Sequence, residues 1–400
     1  MHIAIIVKKL TGYGGVQRQA LSLAHELKKK GHDIRLYTFQ YDRDKCYPEL
    51  VGNIPVVSLG KEDDLPTDGA FGFFNETRLA KRLAKLISRD TELLHPHCMA
   101  SHHVAYFYKR NVKNIPSVWN LNELPSLRWP LEMLEVVENT EFHDIPKKPL
   151  WLKKAIILFR IFYDSFFIRK QDRITVFDTF HKKLLKRYVG SASSLVPSGL
   201  DVERFQYTPH VPPRLGQPLK LLSSGIFLSY RRFEDIIGAL PLLVKKGFDP
   251  QLSIFGEYSG DKKYHRKLIE LSQKLGVENR IVYKGSYRDD ELTKAFADSH
   301  IFIFPHLQSQ ALSVYESIAT GLPTVITPVA GTYETLHHKK QIMIAEIKNP
   351  ANLAEALETL ALDQTLYETL SKDGSSYVRA NFSWKKYADA MNDILLGALR

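Results

Sequence analysis

Apolar positions along this chain fall in short, nearly unbroken runs separated by longer amphipathic stretches, and the alternation occurs twice. The run at 3–7 ends in a glycine turn, Thr11-Gly12-Tyr13-Gly14-Gly15. A segment follows with Ala20, Leu23, Ala24 and Leu27 on one helical face, closed by Gly31, and then a second run at 34–39. Apolar runs without polar alternation predict parallel strands covered on both faces by helices, so the segment reads as a βαβ unit. Shorter runs at 93–95, 117–119 and 174–177 extend the same pattern.

The pattern stops at TPHVPPRLGQPL, where proline and glycine replace periodicity, and then restarts. Strands are predicted at 220–225, 251–256, 280–285, 300–305 and 323–327, with helices between them, among them 232–246 closed by Gly247. The expected organisation is a first Rossmann-like domain at 1–207, a linker at 208–218 and a second Rossmann-like domain at 219–382. A C-terminal helix at 383–400 is expected to pack back on the first domain. The fold class is α/β: two doubly wound parallel sheets, expected to face each other across a cleft. Such sheets bind ligands beyond the carboxyl ends of their strands, where the strand order reverses.

Composition refines this only slightly. Four hundred residues exceed one core and suit two. A formal charge of +11 favours anionic partners: nucleic acid, phosphorylated substrates or an acidic lipid surface. MHIAIIVKKL reads as a strand rather than a signal peptide, and two cysteines, Cys46 and Cys98, have neither metal-ligand spacing nor a disulfide framework. A cytoplasmic location is expected. The most apolar helix, at 151–170, is interrupted by Lys153, Lys154, Arg160, Asp164 and Arg169 and is too charged to span a bilayer. It reads first as a helix packed on the sheet with surface lysines. Its second reading is peripheral contact with an anionic membrane.

Several residues at predicted strand ends carry candidate chemistry. Gly12, Gly14 and Gly15 precede a helix, whose free N–H groups suit an anion, although a tight turn needs the same residues. Arg231 and Arg232 lie where the second domain's first strand hands over to a helix, and planar guanidinium groups there suit a diphosphate. The bland reading is a solvated pair held by Glu234 and Asp235. In FPHLQSQALSVYESIATGLPTVITP, N–H groups from Ala311 and Leu312 onward suit phosphate oxygens or a sugar hydroxyl. Glu316 suits the two hydroxyls of a ribose, or else complements the helix dipole. LLHPHCMASHH gathers His95, His97, His102 and His103, without an acid or thiol at metal spacing, so no metal is expected. Asn120, Asn122 and Glu123 end another strand and suit hydroxyl partners or loop caps.

Taken together, these stretches resemble the retaining, nucleotide-sugar-dependent glycosyltransferases of family 4, of GT-B fold. The resemblance runs from TGYGGVQRQALSLAHELKKKGHDIRLYT through VPSGLDVERF, LSIFGEYSG, GVENRIVYKGSYRDDELTKAFADSHIFIFP, ESIATGLPTVITP and AGTYETL to FSWKKYADAMNDIL. It implies a donor held mainly by the second domain and an acceptor by the first. Gly14 and Gly15 match the glycine loop beside the donor phosphate. Arg231 falls where a lysine is usual, Ile226 stands where the other basic residue belongs, and Arg232 is the candidate to compensate.

The family's two glutamates, eight positions apart, correspond to Gln308 and Glu316, so the position contacting the transferred sugar is an amide here. An amide hydrogen-bonds hydroxyls but neither carries charge nor acts as a base. The resemblance further places Gly256, Gly285, Ser309, Ala311 and Leu312 with the donor, Asn122 and Glu123 on the acceptor side, and His97 as the cleft histidine. Arg231, Arg232, His97 and Gln308 are the candidate catalytic set. The implied reaction moves a hexose from a UDP or GDP sugar to a glycan, lipid-linked or small-molecule acceptor, with retention and without a metal or other cofactor. The departures at Gln308 and Ile226 raise a rival reading, a catalytically degenerate nucleotide-sugar binder. The net charge raises another, a nucleic-acid binder, which lacks a recognised motif; no nucleic acid is expected.

Overall fold

A computed structural model describes residues 1–61, 72–122, 149–213, 216–256, 262–285, 289–307, 312–328 and 331–400. The chain divides into two compact units: one runs to Gly199 and includes Trp384–Arg400, and the other extends from Leu200 to Ser383. Both are parallel α/β sheets.

In the first unit the strands are β1 (His2–Leu10), β2 (Asp33–Tyr41), β3 (Val56–Gly60), β4 (Leu93–His97), β5 (Val118–Leu121), β6 (Arg173–Val176) and β7 (Ser194–Leu195). They lie in the order β3-β2-β1-β4-β5-β6-β7, with Ile3 opposite Ile34 and Leu93 on its two neighbours. Alternate residues of β1 serve two separate cores. Ile3, Ile5 and Val7 pack with Leu23 and Leu27, and with Tyr387, Met391 and Leu395 of the C-terminal helix Trp384–Gly397. Ala4 and Ile6 pack on the other face with Leu79, Leu83, Val104 and Tyr108. Both faces being covered explains why the sequence shows an unbroken run there instead of alternation.

The second unit holds β8 (Pro218–Ser224), β9 (Asp249–Phe255), β10 (Ile281–Gly285), β11 (Ile301–Phe304), β12 (Thr324–Ile326) and β13 (Met343–Ile344). Their order is β10-β9-β8-β11-β12-β13, again parallel, so the order reverses between β8 and β11. Leu221 and Ile303 pack beneath the helices Phe233–Lys245 and Pro350–Leu362, while Leu222, Phe302 and Phe304 pack against Val314, Tyr315 and Ile318.

The expected start of the second domain, after a linker at 208–218, lies later than the observed crossing at Leu200. Leu200 and Phe205 are buried in the second unit's core beside Phe302 and Phe304. The ring of Tyr207 covers Gly321 so closely that a Cβ there would sit 2.6 Å from it. The proline-rich stretch marks a loss of regular structure, whereas the boundary follows burial.

Candidate functional site

The reversal of strand order in the second unit brings the exit of β8 beside the exit of β11. Ser224 hands over to Gly225, whose N–H donates to the Phe255 carbonyl at 2.8 Å. Its neighbour Gly256 donates to the Gly285 carbonyl at 2.8 Å. A Cβ on Gly256 would sit 2.1 Å from the Gly225 oxygen. These glycines therefore let three strand exits approach one another closely, a structural task for Gly256 and Gly285 ahead of any contact with a donor.

The chain then turns through Ser229–Arg231 into the helix Phe233–Lys245. The two arginines at this turn have different surroundings. Arg232 donates from Nε and Nη2 to both oxygens of Asp235, at 3.0 and 2.5 Å, and its Nη1 lies 2.6 Å from Glu234. Glu234 also accepts from the Tyr264 hydroxyl, which accepts the Phe233 N–H at 3.0 Å. Arg232 thus follows the bland reading: its charge is spent on two acids that fix the helix start. Arg231 instead donates from Nη1 to Nδ1 of His306 at 2.7 Å, with Cζ 5.0 Å from the Tyr230 ring centre. Its Nε is sealed from solvent without a hydrogen-bond partner among the described residues. His306 is fully buried, and burial, followed by the nearby Arg231 charge, holds its protonation well below the ordinary histidine range.

Glu316 lies on the helix Leu312–Ala319, past its first described turn, and is only 4% exposed. That burial does not suit a solvated acid complementing a helix end. Leu312 opens the described helix and is partly buried. Gln308, Ser309 and Ala311 lie outside the described residues, as does Glu123. Ile226, in place of a basic residue, is 39% exposed.

The first unit carries its own polar cluster where its strand order reverses, between β1 and β4. The helix Gly15–Lys29 begins at Gly14 with no side-chain cap and no acid in its first turn, leaving its first N–H groups and the positive dipole end for an anion. One turn in, Gln19 is buried and donates to Ser198 Oγ at 3.1 Å. Its oxygen accepts from Asn120 Nδ2 at 3.1 Å and also from Asn122. Asn120 approaches His97 Nδ1 at 3.4 Å and accepts from Thr175 Oγ1 at 2.7 Å. The structure therefore joins His97 and Asn122, through Asn120, with Gln19, Thr175 and Ser198, which the sequence reading did not single out. Gln19 had a visible signal: an amide on the same stripe as Leu23 and Leu27. His95 and His97 are buried and neutral, burial lowering His95 to about 4 and His97 well below its ordinary value.

A second histidine pair lies apart from that cluster. His103 Nε2 is 3.8 Å from Asp164 and its Nδ1 is 3.1 Å from Thr77 Oγ1, with His102 alongside. These groups are close enough to share a cation, and Asp164, more than sixty positions away in the chain, has no spacing that would link it to the histidines. The helix Leu150–Ile168, which supplies Asp164, buries Ile157, Ile161 and Phe167. Its opposite face exposes Trp151, Leu158, Phe159, Phe162 and Phe166, with Phe162 79% exposed. One side of the helix packs, as the first reading expects, and the other offers aromatics to solvent. No helix among the described residues is long and apolar enough to cross a membrane.

Residues 210–377 match the family profile described as Glycosyl transferases group 1, and residues 13–204 match Glycosyltransferase Family 4. The phosphatidyl-myo-inositol mannosyltransferase of Mycobacterium leprae is 24% identical, over 94% of this chain and 91% of that protein. A GDP-mannose-dependent alpha-(1-6)-phosphatidylinositol monomannoside mannosyltransferase of Mycobacterium tuberculosis is 22% identical over 56% of this chain, and the match spans 62% of that protein's length. Among solved structures, Anabaena HepE in complex with UDP and glucose superposes with a TM-score of 0.77 at 13% identity, covering 99% of this chain and 100% of that one. Sucrose-phosphate synthase from Thermosynechococcus elongatus does so with 0.75 at 16% identity, covering 99% of both.

Proposed function

Because this chain belongs to the family 4, group 1 glycosyltransferases and has the GT-B fold, we propose that it transfers a hexose from a UDP or GDP sugar to an acceptor hydroxyl, with retention and without a metal. The observation that carries this reading is Arg231: a partly buried guanidinium at the β8–β11 reversal, held by a neutral imidazole and, among the described residues, by no carboxylate. As the glycosidic bond lengthens, negative charge grows on the β-phosphate of the leaving nucleotide. A fixed cation aimed at that charge lowers the barrier without reorganising during the reaction. Glu316 is suited to the ribose hydroxyls, and in the first unit the uncapped helix start at Gly14 and Gly15 is suited to an anion. The Gln19–Asn120–Asn122–His97 cluster is suited to orienting acceptor hydroxyls, since amides and a neutral imidazole hydrogen-bond without fixing a charge.

A lipid-linked acceptor is the reading favoured by the aromatic stripe of Leu150–Ile168, with the chain resting peripherally on an anionic membrane from the cytoplasmic side. Two relatives named for mannosyl transfer to phosphatidylinositol compounds support this. The deciding experiment screens UDP-, GDP- and ADP-linked hexoses by thermal shift, then follows donor consumption by NMR, which also reads the anomeric configuration. A donor that binds only the folded chain raises its melting temperature. Retention with EDTA present supports the proposal; inversion or a metal requirement refutes those parts of it. Binding without turnover on any acceptor would favour the degenerate binder, for which Ile226 is the structural motive.

A further inference from the structure

Arg231 and Arg232 are neighbours in the chain, yet among the described residues only Arg232 meets carboxylates, and the difference lies in what holds each. Arg232 faces two carboxylates. Arg231 faces His306, a residue that neither the sequence reading nor the family resemblance marks out. The imidazole is fully buried, with its ring centre 3.6 Å from that of Phe304 and the Phe233 ring edge-on at 5.9 Å. Its backbone is equally fixed: the His306 carbonyl accepts from Thr327 Oγ1 at 2.6 Å, and the next N–H, of Leu307, donates to the Tyr230 carbonyl at 2.9 Å. A Cβ on Gly225 would meet His306 Cε1 at 3.1 Å and Arg231 Cδ and Nε at 3.3 Å, so both side chains lie against a glycine that leaves room for them.

We propose that His306 is the positioning residue for Arg231, orienting the guanidinium through a neutral acceptor that leaves its positive charge uncancelled. A guanidinium has no acceptor, so Nδ1 of His306 must present its lone pair and the ring proton resides on Nε2. A carboxylate in that place would hold Arg231 more tightly but neutralise it, as happens at Arg232. An imidazole removes the rotamer freedom of a long side chain, an ordering cost otherwise met on binding, and keeps the cation for an anion. The inference rests on the reading that Arg231 grips the donor diphosphate.

The test has two arms. Nitrogen-15 NMR of histidine-labelled wild-type chain should show His306 as the Nε2–H tautomer, still neutral at pH 5.5; an Nδ1–H signal or ordinary titration overturns the proposal. Calorimetry with UDP and GDP then compares His306→Asn, whose amide oxygen replaces Nδ1, with His306→Leu and His306→Asp. Asn should keep the nucleotide Kd within about threefold, Leu should weaken it by roughly tenfold, and Asp should weaken it further while holding the melting temperature. Equal affinity in all three, with Arg231→Ala clearly weaker, overturns the proposal. If Arg231→Ala binds like wild type, the donor-site reading fails instead, and the NMR arm alone decides whether His306 fixes the arginine. That arm needs no variant to fold.

Discussion

Replacing Gly256 by alanine tests how tightly the strand exits under Arg231 are joined. The new methyl would start 2.1 Å from the Gly225 oxygen and 3.0 Å from the Phe227 ring. An ordinary carbon–oxygen contact needs roughly 1 Å more than the first of these. Moving the exits of β8 and β9 apart by that amount stretches the bond from Gly225 N–H to the Phe255 carbonyl, now 2.8 Å, beyond useful length. One buried backbone bond at about 1 kcal/mol, plus about 2 kcal/mol of overpacking, amounts to roughly 3 kcal/mol. For a unit of this size that corresponds to a fall of roughly 6–12 °C in Tm. Gly247→Ala is the control: its φ of 87° is left-handed but no atom lies within 4 Å of the added Cβ, so about 1 kcal/mol is expected. Differential scanning calorimetry on the full chain reads both. Equal shifts for the two variants, or a fall below about 3 °C for Gly256→Ala, would refute the close-packed geometry of the exits.

Arg231→Ala should weaken UDP or GDP binding by roughly 10- to 100-fold with little change in Tm, whereas Arg232→Ala should lower Tm by stranding Glu234 and Asp235; calorimetry separates them, and the reverse pattern would exchange their roles. Changing Trp151 and Phe162 to glutamate should cut cosedimentation with phosphatidylglycerol vesicles at least fivefold while nucleotide affinity holds; unchanged cosedimentation would remove the membrane from the proposal. Acid should destabilise the chain through its buried histidines. His95 and His102 are lowered by burial to about 4 and about 3, so below pH 6.5 the unfolded chain takes up protons that the folded chain refuses. Their stabilisation is intact above pH 6.5 and is lost progressively as pH falls towards those folded values, at roughly 1.4 kcal/mol per histidine by pH 5.5. Urea midpoints at pH 7.5 and 5.5 check this; equal midpoints would contradict it.

Most of the fold was legible because its central strands are buried on both faces. β1, β2, β8, β9 and β11 are apolar runs whose alternate residues feed separate cores, and a periodicity argument finds them. The strands that escaped, β3, β7 and β13, all lie at sheet edges. β3 is partly exposed along its length, and the others span only Ser194–Leu195 and Met343–Ile344, too short for a pattern. Helix ends were readable from glycines such as Gly31 and Gly247, both left-handed. The boundary between units was not, because Leu200 and Phe205 look like loop residues until their burial in the second unit is known.

The site follows a different rule from the core, and that explains which of its residues the sequence revealed. Glycines and arginines after a strand are conspicuous, so Gly14, Gly15 and Arg231 stood out. What makes Arg231 usable is the chemistry of its neighbour, and a sequence does not say which side chain a guanidinium will meet. Arg232 and Arg231 are indistinguishable as letters; two acids on the same helix turn claim one, and a histidine at the exit of β11, distant in sequence, claims the other. The same holds in the first unit, where Gln19 reads as a flaw in an apolar stripe until Ser198, Asn120 and Asn122 supply its hydrogen bonds. Buried amides and imidazoles with partners far along the chain are costly without those partners, so each pairing had to form with the fold. A polar residue on a stripe that should be apolar, close to a predicted strand exit, is therefore the sequence signal that leads to such sites, and here it points to Gln19.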